Sequence, residues 1–493
     1  MYDGETRSAA AHGARMRRML HSFDRLLPGI IVILLAGSAA PAGRQSSRSM
    51  PDFAKARDEA ITFLQDLVRI DTSGGSETKV AEYLKTVLDR EGIPSEIVTL
   101  QEGRGNLVAR LKGSGRKRPI LLMGHTDVVG VESAGWTVEP FGAVVKDGYL
   151  YGRGSTDDKD NVAAHLEVLL LLHRLKIPLD RDVICLAEAG EEGTPRLGIQ
   201  FMAEKHWERI DSEMVLAEGG STVVRDGKVR YLAFATTEKV GRGMRLIARG
   251  TSGHGSVPLA DNPIVHLAAA VAKVGQYQVP VRLNETTRMF FQGMATISPP
   301  DEAFLYTHID DPVVGAMVQE TLQRKYPSFN SMTRTSISPN IIKGGFRSNV
   351  IPAEAEATLD VRAVPDEDID ALVAELKRLI DDPAVEIVRG AIGRPSPPPS
   401  PVDSDLVRAL EKAAAATFPG AVTVPTMLTG ATDMSFLRAR GVQAYGIGPP
   451  AAEGERGAHG NDERLLLDGF GKFIELIYRT VVEVSADLPA SGR

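Results

Sequence analysis

Apolar and polar positions along the first half of the chain predict buried strands that alternate with helices. Uninterrupted apolar runs, typical of strands buried on both faces of a sheet, occupy residues 120–123, 183–187 and 214–217. Between the first two runs, residues 162–175 are rich in leucine at helical spacing. Helices that alternate with buried strands indicate an α/β domain whose sheet is flanked by helices.

The pattern changes after about residue 241. Residues 244–248 and 355–361 have the spacing of half-buried strands. Helical periodicity lies between them at 266–274 and just after them at 366–380. This mixture predicts a smaller α+β domain inserted into the first domain.

The helical pattern of the first half returns near the end of the chain. Residues 406–417 and 469–484 have helical periodicity, and Ser404 suits the N-cap of the earlier helix. A chain of 493 residues is also too long for one ordinary hydrophobic core. We therefore predict a catalytic domain of residues 53–241 and 365–485, interrupted by an inserted domain of residues 242–364.

Composition and charge exclude several classes of protein. Hydrophobic residues make up 43% of the chain and charged residues 25%, the balance of an ordinary globular protein. The net charge of −7 gives no general attraction to nucleic acid. Cys185 is the only cysteine, which excludes a zinc site built from thiolates. Any bound metal must therefore be held by His, Asp and Glu side chains.

The N-terminus has the features of a secretory signal peptide. Arg17 and Arg18 precede an apolar stretch at residues 26–36, and Ala40-Pro41-Ala42 fits a cleavage site. We predict that residues 1–42 are removed and that the protein is secreted or periplasmic. The apolar stretch is short for a membrane span, and an uncleaved anchor remains the alternative interpretation.

Acidic residues and histidines follow all three apolar runs. Ligands bind at the carboxyl ends of strands in open α/β sheets, so residues at these positions are candidates for chemistry. They are His125 and Asp127 after the first run, Glu191 and Glu192 after the second, and Glu218 after the third. Asp157 and Asp158 precede the helix at 162–175, and His459 lies far downstream.

Two histidines and several carboxylates form the donor set that a pair of Zn²⁺ ions needs when no thiolate is present. The adjacent Glu191 and Glu192 suit a division of labour in which one binds metal and the other takes a proton. Each motif taken alone is more often structural or a solvated surface turn. A serine hydrolase would need a G-x-S-x-G turn, which the chain lacks. The occurrence of these histidine and carboxylate motifs at three strand ends favours a metal-dependent hydrolase.

These motifs resemble those of the zinc metallopeptidases and deacylases of peptidase family M20. That group includes glutamate carboxypeptidase, acetylornithine deacetylase, succinyl-diaminopimelate desuccinylase and aminoacylase. The resemblance extends over about residues 53–484 and rests on five motifs. They are His125-Thr-Asp127-Val-Val, Gly152-Arg-Gly-x-x-Asp157-Asp158-Lys, Glu191-Glu192-Gly, Glu218-Gly and His459.

The resemblance implies a role for each motif residue. It implies a mixed catalytic sheet flanked by helices, with a cis peptide bond between Asp157 and Asp158. Glu191 would be the general base, and Asp127 would orient His125. Two Zn²⁺ ions, or Co²⁺ or Mn²⁺, would be held by two overlapping ligand sets: His125, Asp157 and Glu218 for one ion, and Asp157, Glu192 and His459 for the other.

The resemblance also gives the inserted domain a function as a lid that forms a homodimer interface. His254, in Gly253-His254-Gly255-Ser256, would stabilise the oxyanion in the partner subunit's site. Arg362 would grip a substrate carboxylate, and Asn349 and Asp433 would assist substrate binding. Residues 288–330 would be extra length in the lid, without an assigned role.

The expected function is that of a metallopeptidase acting on amide or peptide bonds beside a free carboxylate, as a carboxypeptidase or dipeptidase does. In the family, glutamate at the Glu218 position is associated with carboxypeptidases and acyl-amino-acid hydrolases. An N-acyl amino acid deacylase is therefore the alternative. A non-catalytic binding protein on the same fold is a remote third possibility, since every ligand position is retained.

Overall fold

The computed structural model describes residues 50–455 and 457–487. The predicted signal peptide lies outside them, and no helix within them is long and apolar enough to cross a bilayer. The described helices are Phe53–Arg69, Glu77–Glu91, Lys159–Arg174, Ile199–Lys205, Trp207–Ile210, Pro263–Gln276, Glu285–Ile297, Pro300–Thr307, Gly315–Lys325, Pro327–Met332, Ile369–Ile380, Asp405–Thr417, Met434–Arg438 and Leu467–Ser485.

A ten-stranded mixed sheet forms the centre of the described chain. Its hydrogen-bonded order is Ser95–Thr99, Gly105–Leu111, Val183–Glu188, Ile120–His125, Met214–Ala217, Gln443–Gly446, Lys228–Glu238, Ser221–Arg225 and Pro450–Ala452. Strand Val422–Leu428 pairs in parallel with Lys228–Glu238. The fold is thus the mixed α/β architecture that the sequence predicted.

The central strands are buried on both faces, which explains their uninterrupted apolar runs. Successive side chains of a strand point to opposite faces of its sheet. Accordingly, Ile120 and Leu122 belong to a core formed with the helices Phe53–Arg69, Lys159–Arg174 and Leu467–Ser485. Leu121 and Met123 belong to a second core on the opposite face, covered by Ile199–Lys205 and Met434–Arg438.

The predicted helix at 162–175 begins earlier than its apolar spacing suggested. It starts at Lys159. The apolar spacing missed the first turn because its buried residues, Lys159, Asp160 and Asn161, are polar and leave no hydrophobic signal. The predicted N-cap of the helix Asp405–Thr417 is confirmed, since the Ser404 hydroxyl accepts a hydrogen bond from the backbone N–H of Val407.

A second, five-stranded antiparallel sheet contains the half-buried strands predicted after residue 241. Its path is Val240–Gly241, Glu354–Ala363, Met244–Arg249 and Val385–Arg389, and Ser336–Gly344 pairs with Glu354–Ala363. The helices Pro263–Gln276 and Ile369–Ile380 supply its apolar core. Since Val385–Arg389 pairs with Met244–Arg249, the expected boundary at residue 364 is too early, and this sheet continues to Arg389.

The helix Glu285–Ile297 packs on the large sheet, and the helices that follow it up to Met332 join the same core. This corrects the expectation that residues 288–330 extend the lid. Phe290, Phe291 and Met294 belong to a core that includes Val424 and Met427 of the strand Val422–Leu428. The sequence did not indicate this, because an amphipathic helix does not specify which sheet its apolar face will cover.

Two small sheets complete the described structure. Gly253–His254 pairs with Val350–Ile351, and Tyr149–Tyr151 pairs with both Val144–Lys146 and Arg464–Leu466. The second of these sheets brings the chain just after His459 close to the loop that carries Asp157.

Candidate active site

Parallel pairing of three strands brings the predicted site residues to one edge of the large sheet. Ile120–His125 runs parallel to both Val183–Glu188 and Met214–Ala217. The carboxyl ends of parallel strands lie at the same edge, which is where ligands bind in such sheets. Residues that follow these strands therefore share one site, as their positions in the sequence predicted.

Asp157 links the two predicted metal-binding histidines. Its Oδ1 lies 3.0 Å from His125 Nε2, and its Oδ2 lies 3.0 Å from His459 Nε2. His459 Nε2 also lies 2.7 Å from Glu192 Oε1. One carboxylate therefore stands between two histidines, which is the arrangement that a ligand shared by two metal ions requires.

Glu218 completes the group of predicted ligands. Potential ligand atoms of His125, Glu191 and Glu218 lie within 4.8 Å of one another, and so do those of His125, Asp157 and Glu192. The peptide bond between Asp157 and Asp158 is cis, as the resemblance implied. The structure thus brings together all five predicted ligands and the predicted general base.

The site holds more negative charge than its two histidines balance. Burial raises the pKa of Glu191 to about 8 and that of Asp158 to about 7. Burial and the nearby Glu191 raise the pKa of Glu218 well above its usual range. Cations relieve such repulsion, and clustered imidazole and carboxylate groups without a thiol are ligands that Zn²⁺ accepts. The residues present therefore fit a pair of divalent metal ions.

Hydrogen bonds make Asp157 the exception among these carboxylates. Burial alone would raise its pKa, but contacts with His125 and His459 lower it below the usual range. Hydrogen bonds with Asp157 and Glu192 raise the pKa of His459 to about 10. Asp157 is therefore a strongly anionic group at the centre of the site.

Asp127 shapes the loop that presents the two glutamates. Its carboxylate accepts hydrogen bonds from the backbone N–H groups of Gly190, Glu191 and Glu192 at 2.8, 3.1 and 3.0 Å. His125 Nδ1 lies 3.0 Å from the Asp127 carbonyl oxygen and 3.6 Å from its carboxylate. Asp127 therefore contacts His125 and also holds the glutamate loop.

A buried ion pair that sequence reasoning missed joins the loops around Asp157 and His459. Arg153 Nη1 lies 2.6 Å from Glu463 Oε2, and Glu463 Oε1 accepts the backbone N–H of Thr156 at 2.9 Å. Both side chains are buried. An Arg and a Glu 310 positions apart give no local signal of pairing, although Arg153 lies within a motif that the sequence had singled out.

Arg394 is a further residue that the sequence analysis missed. Its Nη2 donates to the carbonyl oxygen of Glu191 at 2.8 Å and to Glu191 Oε1 at 2.7 Å. Its Nη1 donates to Asp433 Oδ1. Arg394 begins a proline-rich stretch of residues 394–401, which resembles a surface connection, so the pattern gave no sign that its side chain enters the site.

Asp433 was predicted to assist substrate binding, but the structure does not place it on the substrate side. Its side chain is 1% exposed and is bound by Arg394. A buried carboxylate already engaged by a guanidinium is not available to contact a substrate directly. The physical reason is local: Asp433 begins the short helix Met434–Arg438, which lies under the large sheet.

Of the three predicted lid residues, His254 and Asn349 lie together and Arg362 makes a separate contact. His254 and Asn349 are exposed and adjacent, with the backbone N–H of Gly255 donating to the Asn349 carbonyl at 2.8 Å. Arg362 is 40% exposed and pairs with Asp360 at 2.8 Å. Within residues 50–455 and 457–487, no hydrogen bond or ion pair joins His254, Asn349 or Arg362 to the predicted metal ligands.

A mixed α/β sheet with clustered histidines and carboxylates at its strand ends defines a class of metal-dependent hydrolase. The family model described as peptidase family M20/M25/M40 matches residues 121–483. The chain therefore belongs to this family of hydrolases, which act on amide and peptide bonds and are typically dinuclear metal enzymes.

Known relatives agree with this assignment. The chain is 27% identical over 440 residues to the human N-fatty-acyl-amino acid synthase/hydrolase PM20D1, covering 85% of this chain and 86% of that protein. Two solved structures share the fold. The Sulfolobus solfataricus M20 family metallo-carboxypeptidase Sso-CP2 has a TM-score of 0.62 at 21% identity, covering 88% of this chain and 100% of that one. Human carnosine dipeptidase 1 has a TM-score of 0.65 at 18% identity, covering 87% and 97%.

Proposed function

We propose that the protein is a di-zinc exopeptidase that hydrolyses the amide bond next to a residue with a free carboxylate, as a carboxypeptidase or dipeptidase does. The observation that carries this proposal is the position of Asp157 between His125 and His459, with Glu191 beside the same cluster. A shared carboxylate and an adjacent unshared one are the parts that a two-metal hydrolase needs.

In this proposal the zinc ions are held by the two overlapping ligand sets. Those sets are His125, Asp157 and Glu218 for one ion, and Asp157, Glu192 and His459 for the other. Bound zinc supplies Lewis acidity and a water that is nucleophilic at neutral pH. Asp127 holds His125 and the glutamate loop in place.

Glu191 moves the proton. It takes a proton from the attacking water and returns it to the nitrogen of the leaving amine, so that one carboxylate serves both halves of the reaction. Its Oε1 contact with Arg394 leaves the second oxygen for this task.

We further propose that the protein works as a homodimer in which exposed lid residues complete the partner's site. His254 would then stabilise the oxyanion across the subunit boundary, and Asn349, its neighbour, would assist substrate binding. Exposure of both residues supports this proposal. Sedimentation equilibrium should give twice the mass of one chain, and a monomer with full activity would contradict it.

Arg362→Ala is expected to raise KM for carboxylate substrates by about 10-fold or more while changing kcat little. A guanidinium binds a carboxylate through paired, charge-assisted hydrogen bonds, and their loss costs about 1.5–3 kcal/mol. The measurement is steady-state kinetics on a substrate and on its C-terminal amide. An unchanged KM for the free carboxylate would remove Arg362 from this role.

A second candidate function is the hydrolysis of N-acyl amino acids. The similarity to the N-fatty-acyl-amino acid synthase/hydrolase favours it. So does a cavity of about 300 Å³ lined by Val223, Ile447 and Pro449, together with Thr156 and Ala458. Thr156 precedes Asp157 and Ala458 precedes His459, so an acyl chain lying there would be next to the metal ligands.

The test of both functions is amine release from matched substrates. The panel contains dipeptides, N-acetyl amino acids and N-long-chain-acyl amino acids that share one C-terminal residue. The zinc-loaded protein is compared with the Glu191→Gln variant as a blank. Release from dipeptides supports the exopeptidase proposal, whereas release only from acyl amino acids supports the second candidate. No release above the blank, with zinc bound, would contradict both.

A further inference from the structure

Arg394 makes the only arginine or lysine ion pair to Glu191 within the described part of the chain. One guanidinium nitrogen holds both the backbone carbonyl and the carboxylate Oε1 of Glu191, at 2.8 and 2.7 Å. The other nitrogen holds Asp433. The side chain is only 15% exposed, so these contacts are shielded from solvent and are stronger than a surface pair.

The anchor behind Arg394 is rigid. Thr432, just before Asp433, donates its backbone N–H and its hydroxyl to Glu238, at 3.0 and 2.7 Å. Glu238 is in turn bound by Arg438 at 2.8 Å, and both of these side chains are 2% exposed. These buried contacts fix the position of Thr432, the residue next to Asp433. The guanidinium of Arg394 is therefore held from behind while it holds Glu191.

The orientation of Glu191 matters because its carboxylate can serve either as a metal ligand or as a general base, and these two roles need different orientations. Its carboxylate lies within 4.8 Å of potential ligand atoms of His125 and Glu218, so an unrestrained Glu191 is close enough to become a metal ligand. A general base must keep one oxygen within hydrogen-bond reach of the proton that it moves. Arg394 engages Oε1, which leaves Oε2 as the oxygen that can face the reacting atoms.

We propose that Arg394, anchored by Asp433, is the positioning residue that holds Glu191 in its proton-transfer orientation. The inference rests on the proposed function, because it takes Glu191 as the general base. Arg394 does not contact substrate in this scheme, and the carboxylate of the substrate is held elsewhere. The competing role for a buried arginine next to the leaving amine is capture of that carboxylate, and kinetics separate the two.

The test compares Arg394→Ala, Arg394→Lys and Arg362→Ala in the zinc-loaded protein. Arg394→Ala is expected to lower kcat about 100-fold, the effect of misplacing a catalytic group by about 1 Å, with KM within about threefold of wild type. Arg394→Lys should recover about 10-fold of this loss, because an ammonium can still reach one carboxylate oxygen although it lacks the paired geometry. Arg362→Ala, the matched control, should instead raise KM.

Binding supplies a readout that does not depend on turnover. In the Glu191→Gln background, calorimetry measures the Kd of uncleaved substrate with and without Arg394→Ala. The positioning role predicts Kd values within about threefold of each other and an unchanged zinc content by elemental analysis. A Kd weakened 10-fold or more would overturn the inference in favour of carboxylate capture, and so would a rise in KM without a fall in kcat.

Misfolding and failure of the proposed function each give a distinct result. If Arg394→Ala fails to fold because Asp433 loses its buried cation, Arg394→Ala/Asp433→Asn removes that stranded charge and should show the same loss of kcat. A wild-type protein that releases no amine contradicts the proposed function itself. An active wild type whose Arg394 variants keep kcat within about threefold overturns only the role of Arg394.

Discussion

Glu191→Gln is expected to keep its full zinc content and to lose amine release by about 10³-fold or more. General acid–base catalysis contributes about 10²–10⁴-fold, and Glu191 is asked to act in both proton transfers. Glutamine has nearly the same size, and its amide oxygen can still accept the hydrogen bond from Arg394. The substitution therefore removes the basic oxygen while it leaves the loop in place.

Glu192→Gln is the matched control, since it makes the same change at the next position. Glu192 lies 2.7 Å from His459 and within the group of predicted ligands. Its loss should therefore lower zinc content as well as turnover. Elemental analysis and amine release on both variants separate the roles. Near-normal turnover in Glu191→Gln would exclude it as the general base, and loss of zinc would make it a ligand.

The candidate site was predictable because strand ends and motifs are local features of the sequence. His125 and Glu218 follow apolar runs that are typical of buried strands, and parallel pairing brings the ends of these strands together. The burial of alternate residues in Glu354–Ala363 was likewise visible as a period-two pattern. In these places the signal and the structure have the same physical origin, which is burial of apolar side chains.

The features that were missed depend on contacts between distant parts of the chain. Arg394 and Glu191 are separated by 203 positions, and a charged residue in a proline-rich stretch is usually solvated. The strand Val385–Arg389 was assigned to the wrong domain, since a five-residue strand carries no mark of which sheet it joins. Charge pairing and sheet membership are decided by tertiary packing, and local periodicity carries no information about it.

Asp157→Ala is expected to reduce bound zinc from about two ions per chain to one or none, and to abolish amine release. Asp157 is the only predicted ligand that contacts both His125 and His459, so its removal takes a ligand from each ion. His459→Gln removes a ligand on one side only and should retain about one ion. The difference between these variants distinguishes a shared ligand from an ordinary one.

Metal analysis after dialysis and thermal unfolding with and without added zinc measure this difference. A metal that binds only the folded state raises its stability by mass action, so the increase in Tm on adding zinc should be largest for wild type and smallest for Asp157→Ala. Alanine also leaves His125 without its 3.0 Å partner. Two zinc ions retained by Asp157→Ala would contradict the bridging role and require the two ions to be held by separate ligands.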